Sequence, residues 1–287
     1  MNRHPPLFAI LLLSLGMIAA GSVVVATKLA AQSMPPFTAA ALRYGLAAAV
    51  LLPWAWWRHG PPRMERGDGL VLLAQAALGS LGFSVLLLLG LRDGAAAPAS
   101  VAAGTLPLLV LAGACLARRR RPSPRLAAAC VLAALGVTVA GEGGAIHPLV
   151  FAAIACEAGF VSLDRVMRRP PPALMLSALL CLGGLLLTLP GAATETWRPA
   201  AWPISAWLAL LWHGLVGTVA GFVCWYSGTA RVGAAAAAPF TALFPLTGVV
   251  AAPLVLGVPL DHALAGGGAL VAGAIVLAAV PLSAVKP

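Results

Sequence analysis

Apolar residues along this chain come in long runs, and the polar residues fall in the gaps between them. Ten runs stand out: 7–27, 36–57, 69–91, 95–117, 125–142, 147–165, 173–190, 205–227, 234–257 and 263–285. Each approaches the roughly 20 apolar residues that carry a helix across a bilayer. Ten helices in 287 residues leave almost nothing for loops, so no soluble domain of any size is expected. The pattern predicts an all-α integral membrane protein with ten transmembrane helices. The first run is longer than the ~7–15 residue apolar core of a secretory signal and reads as a retained first helix.

Composition agrees. The chain is 61% hydrophobic and 9% charged, with a mean hydropathy of +0.97, where a soluble domain carries about 25% charged residues. A net charge of +10 raises the question of nucleic acid. The placement of the charges, in short gaps between apolar runs, argues against it and for a lipid bilayer. One side of the membrane would hold Arg3, Arg58, Arg63, Arg66, Arg118–Arg121, Arg125, Arg165, Arg168, Arg169, Arg231 and Lys286. The other would hold only Lys28, Arg92 and Arg198. By the positive-inside rule the basic side is cytoplasmic, which puts both termini inside. Cys115, Cys130, Cys156, Cys181 and Cys224 all lie inside apolar runs without metal-ligand spacing, so they read as small buried hydrophobes. No metal and no cofactor are expected.

One stretch occurs twice. Residues 82–99, GFSVLLLLGLRDGAAAPA, and 221–238, GFVCWYSGTARVGAAAAA, align at one offset. Gly82/Gly221, Phe83/Phe222, Arg92/Arg231 and Gly94/Gly233 are identical, as are four alanines. Each copy is a helix, a basic turn and an Ala-rich helix that reaches a proline, Pro107 or Pro245. Five helices separate the copies, an odd number, so they insert in opposite directions. Two inverted five-helix repeats, 1–142 and 147–287, are the architecture of an alternating-access transporter. Gly90, Gly94, Gly217, Gly221, Gly266–Gly268 and Gly273 are expected to let helices pack closely. Pro107 and Pro245 are candidate gating or helix-breaking positions.

At this point the chain resembles the EamA-type transporters of the drug/metabolite transporter superfamily. The first helix ends GSVVVATK, Gly21–Lys28, and the second opens PPFTAAALRY, Pro35–Tyr44. Leu106-Pro107 and Phe244-Pro245 match the family's mid-helix proline, and Cys156–Phe160 reads CEAGF. Ala20 stands where the family usually has an aromatic, and the frequent Gly-Glu ending the fourth and ninth helices is absent. The resemblance implies a secondary transporter, most often an exporter of small metabolites, amino acids or drug-like compounds. It would sit in the cytoplasmic (inner) membrane of a bacterium as a monomer or homodimer, with a central cavity between its halves.

Few polar residues lie inside the runs. An ionisable group at the bilayer centre costs about 2.5–3.5 kcal/mol on insertion scales and is a functional candidate by default. Glu157 sits near the middle of the sixth helix and can couple flux to protons or hold an amine. Arg43 lies seven residues, about 10 Å, into the second helix. It can hold a substrate carboxylate, pair with Glu157 or snorkel to the interface. His213, beside Trp212 in the eighth helix, is a proton-relay or structural histidine. Gln75 in the third helix binds polar ligands or glues helices, and Tyr226 is a cavity or belt residue. Trp54, Trp56 and Trp57 read as an interfacial belt, and Trp197 and Trp202 as residues resting on headgroups.

Two other classes compete. A lipid-modifying membrane enzyme needs convergent acids, histidines or metal ligands. The eight acidic residues are scattered, and His147 near Glu142 is the nearest thing to a cluster. An enzyme is therefore not expected. A non-transporting assembly protein is the second alternative. No GxxxxGK[ST] motif is present to couple ATP directly.

Overall fold

The structure is a computed structural model that describes residues 7–62, 64–117, 123–141, 146–163, 166–232 and 237–279. Arg3, Arg63, Arg118–Arg121, Glu142, Arg165, Lys286 and Gly233–Ala236 lie outside the described residues.

The described residues are helical, without strands. Five helices are long and apolar enough to cross a membrane: α1 (Leu7–Ala31), α2 (Pro36–His59), α3 (Arg66–Asp93), α7 (Ala173–Thr194) and α8 (Ile204–Val232). Shorter apolar helices fill the remaining runs. These are α4 (Ala96–Ala103, then Leu106–Ala117), α5 (Pro124–Gly141), α6 (Pro148–Leu163), α9 (Leu243–Leu256, entered through a 3₁₀ turn Ala238–Ala242) and α10 (His262–Ala279).

Because lipid and protein interior are both apolar, the faces of these helices differ in residue size more than in polarity. On α1, Leu7, Leu11, Leu15 and Ile18 form an exposed stripe at helical spacing. Ala9, Leu13, Gly16 and Ala19 form the buried one. A Cβ on Gly16 would stand 3.1 Å from the backbone nitrogen of Trp225, so α1 and α8 meet nearly backbone to backbone.

The most extensive packing joins α1 to α8, α2 to α7 and α5 to α10. α4 packs on α9, α1 packs on α8 and α9, and α6 packs on α3 and α4. Gly267 of α10 lies against α5: a Cβ there would stand 2.5 Å from the Gly136 carbonyl oxygen. Gly90 and Gly94 meet α6 and its preceding loop, whereas Gly266 and Gly273 face open space.

Two carboxylates pin the ends of this bundle. Glu195, just past α7, accepts the Phe37 and Thr38 backbone N–H groups at 3.0 and 2.7 Å and the Thr38 hydroxyl at 2.7 Å. It thereby supplies the negative charge that the N-terminus of α2 favours, where Pro35 and Pro36 offer no side-chain cap. Asp68 accepts the backbone N–H groups of Arg168 and Arg169, each at 3.0 Å, tying the start of α3 to the α6–α7 loop. At the far end of α3, beside the start of α2, Lys28 of α1 donates to the Arg92 carbonyl at 2.9 Å and Arg92 to the Met34 carbonyl at 3.3 Å.

Both α3 and α8 change from α- to π-helical winding in mid-course, at Ala76–Phe83 and Trp212–Ala220. The wider winding is recorded by Thr218, whose hydroxyl donates at 3.0 Å to the carbonyl of His213, five residues back. α4 breaks at Gly104–Thr105, and Pro107 follows in the first turn of the next segment. Pro245 likewise lies in the first turns of α9. At Pro107 a proline costs little, because its missing N–H would have had no helical partner, whereas Pro245 sits where the winding passes from 3₁₀ to α. The break in α4 meets the first turn of α9: a Cβ on Gly104 would stand 2.7 Å from Pro245.

Trp202 differs from the sequence expectation. It is 7% exposed, edge-on to Trp197 and tilted against Trp207, and packed into the core formed by α1, α3, α4 and α6, because the segment after α7 folds back over the helix ends. Trp54, Trp56 and Trp57 remain on the surface.

Candidate functional site

The π-helical stretches face a common cavity of about 140 Å³. Gly79, Ser80 and Phe83 line it from α3, and His213, Gly217 and Thr218 from α8. α1 contributes Ala20, Val23 and Val24, and α2 contributes Arg43 and Tyr44. α6 supplies Ile154, Glu157 and Phe160. Leu180 of α7, Phe222 of α8, Phe244 of α9 and the broken segment of α4 complete the wall. The glycines let the walls approach. A Cβ on Gly79 would stand 2.5 Å from the Phe160 ring, and Gly217 leaves room for Val23 of α1.

Arg43 is the centre of the polar part. It is 6% exposed, so it does not snorkel to the interface. Its Nη2 donates to Ser84 Oγ at 2.6 Å, and Ser84 Oγ shares a 2.8 Å hydrogen bond with the Tyr44 hydroxyl. The guanidinium carbon lies 4.0 Å from the centre of the Tyr44 ring, a cation–π contact. Nη1 is hydrogen-bonded to His213 Nε2. No carboxylate partners Arg43 among the described residues, and its Nε has no hydrogen-bond acceptor there.

Arginine has no acceptor atom, so in the Arg43–His213 contact the imidazole Nε2 must accept. The proton of neutral His213 then sits on Nδ1, which lies 3.2 Å from Thr27 Oγ1. Thr27 in turn donates to the Val23 carbonyl at 2.8 Å. The chain of donors runs from α2 through α8 to α1 in one consistent direction. It stands between the main cavity and a narrower void of about 20 Å³, lined by Thr27, Ala39, Ser84 and Leu88 among others.

The residues singled out by sequence divide into two groups. Arg43, Glu157 and His213 line the one cavity. Gln75, Tyr226 and Trp212 do not. Gln75 is fully buried and donates to the Phe160 carbonyl at 3.3 Å, joining α3 to α6. Tyr226 stacks edge-on against Phe222, at 5.9 Å between ring centres. Trp212 is 49% exposed and donates to Ser22 Oγ at 2.8 Å on the outer surface of α8. Sequence reading passed over Thr27, Ser84 and the hydroxyl of Tyr44. The only signal for Tyr44 is its place directly after Arg43.

Comparisons with known proteins fit this arrangement. The sequence model of the EamA-like transporter family matches twice, over residues 7–141 and 145–280. YetK of Bacillus subtilis (strain 168), an uncharacterized transporter, is 29% identical over 277 residues, covering 92% of this chain and 84% of its own. YdeK of the same organism, also an uncharacterized transporter, is 29% identical over 247 residues, covering 80% and 83%. A chain of known crystal structure superposes with a TM-score of 0.64 at 21% identity, over 94% of this chain and 96% of the other, a likeness of fold. The family matches span nearly the whole length, and the cavity lies among the helices of both: the protein belongs to the EamA-like transporter family and is a multi-pass membrane transporter.

Proposed function

We propose that the protein is a secondary active transporter, an exporter of small metabolites, amino acids or drug-like compounds, working by alternating access. Its ten helices form two inverted five-helix halves, 1–142 and 147–287, in the cytoplasmic membrane of a bacterium with both termini inside. The cavity is the substrate site, and Arg43, Glu157 and His213 are its polar contacts. Pro107 and Pro245, beside the break in α4 and in the first turn of α9, are the gating positions.

The packing scheme carries this reading. Exchanging the halves turns α1 into α6, α2 into α7, α3 into α8, α4 into α9 and α5 into α10. Under that exchange the contacts α2–α7, α4–α9 and α5–α10 map onto themselves. The contacts of α1 with α8 and α9 map onto those of α6 with α3 and α4. The π-helical stretches of α3 and α8 correspond as well. A pseudo-symmetric scaffold of this kind has two related conformations, one open to each side.

Glu157 is our candidate for proton coupling, since a carboxyl group in the cavity can load a proton on one side and release it on the other. The test is flux in proteoliposomes, with a panel of amino acids and amphipathic metabolites, with and without a pH gradient. Saturable flux is expected, with a proton dependence that Glu157→Gln removes while keeping the side chain's shape. Equal proton dependence in both proteins rejects the coupling role. Absence of flux for every compound by folded protein rejects transport.

A further inference from the structure

We propose that Arg43 is the head-group site for a carboxylate-bearing ligand with a compact apolar body. The guanidinium would take the carboxylate, and the phenylalanines around the cavity would take the body. The inference rests on the transport reading of the same cavity and adds to it the class of substrate.

Three observations point to an acid. First, Arg43 is a buried cation whose protein partners, His213, Ser84 and the Tyr44 ring, are all uncharged when His213 accepts its hydrogen bond. Its charge has no carboxylate opposite it among the described residues. Second, Nε is buried and lacks an acceptor, although the side chain borders open space. A planar guanidinium offers a carboxylate two parallel N–H donors, a geometry that neither an imidazole nor a hydroxyl can fill. Third, the remainder of the wall is apolar and rich in rings: Phe83, Phe160, Phe222 and Phe244. Its volume of about 140 Å³ suits a body the size of one ring, since an apolar cavity of about 150 Å³ holds benzene.

Glu157 lines the same cavity from α6. A ligand that carries an amine as well as a carboxylate has a complementary group there, and a simple organic acid does not. Both classes share the head that Arg43 recognises, and a matched set of probes separates them.

The experiment is calorimetric titration of purified full-length protein with phenylacetate, its neutral amide and phenylglycine, which adds an amine. Wild type, Arg43→Gln and Arg43→Lys are compared, with folding verified by size exclusion and thermal melting. Phenylacetate or phenylglycine should bind saturably and ~tenfold or more tighter than the amide. Arg43→Gln should lose that preference, and Arg43→Lys, which keeps the charge without the fork, should recover part of it. Tighter binding of phenylglycine assigns the ligand to amino acids, and tighter binding of phenylacetate assigns it to simple acids. The proposal is overturned if the amide binds as well as the acids, if folded Arg43→Gln keeps the preference, or if no probe binds. Because binding is read without flux, tight binding without transport would instead count against the transport reading.

Discussion

α2 and α7 lie against each other and are built alike, yet only one of them carries charge to the cavity. Arg43 and Leu180 each stand seven residues from the first residue of their helices, Pro36 and Ala173, and both line the cavity. Arg43 brings a guanidinium with its hydrogen-bond partners, whereas α7 has no charged residue at all. The reverse holds for α6 and α1. Glu157 faces the cavity from α6, and α1 has no charge before Lys28 near its end. Packing therefore recurs in the two matched regions of the chain, but charge does not. The physical reason is cost. Small residues where helices touch carry no such penalty, while an ionisable group in a bilayer is unfavourable by about 2.5–3.5 kcal/mol. Such a group persists where it has a task, and one copy of each suffices.

The packing side of the comparison is broken most severely at Gly267. Gly267→Leu drives a side chain into the α5 backbone, a cost of about 1–3 kcal/mol or more from overpacking. Thermal melting in detergent should show a lowered midpoint, with Gly273→Leu, which faces open space, unchanged. On the charge side, His213→Leu leaves Nη1 of Arg43 without its acceptor and should cost about 1–3 kcal/mol. His213→Gln, which keeps an acceptor, should recover much of that loss in the same melt. The smallest effect belongs to Glu195→Gln. It keeps the size of the side chain but removes its charge and turns one of the two accepting oxygens into an NH2 that cannot accept, so a loss of about 1 kcal/mol is expected. Leu180→Arg sharpens the contrast directly. Placed on α7, where Ser84, Tyr44 and His213 are not arranged around it, the charge should not restore binding to Arg43→Gln.

The helices were legible because a bilayer imposes long apolar runs, and their bounds follow the runs within a few residues. The break in α4 was less legible. Proline marks a place where a helix can be interrupted, but it does not show that the interruption falls at Gly104–Thr105, where Gly104 packs against Pro245 of α9. Within the cavity, Arg43, Glu157 and His213 stood out as ionisable groups in apolar surroundings. Their hydroxyl partners did not. Thr27 bonds the carbonyl four residues back, as Ser100 and Thr188 also do in other helices, so nothing local separates the hydroxyl that meets His213 from those that satisfy only their own helix. Gln75 and Trp212 show the same limit from the other side. In helices apolar all round, periodicity does not tell which face meets the cavity, a neighbouring helix or lipid.

The measurement that bears most directly on a scaffold alternating around one cavity is two-sided accessibility of its wall. Ala20 lines the cavity and is small, so Ala20→Cys, in a variant with the five native cysteines replaced, gives a single reporter. A membrane-impermeant thiol reagent would be added from one side or the other of oriented vesicles, with and without a transported substrate. The account predicts labelling from both sides and a change in their ratio when substrate is present. Labelling that stays confined to one side, whatever the substrate, would contradict it.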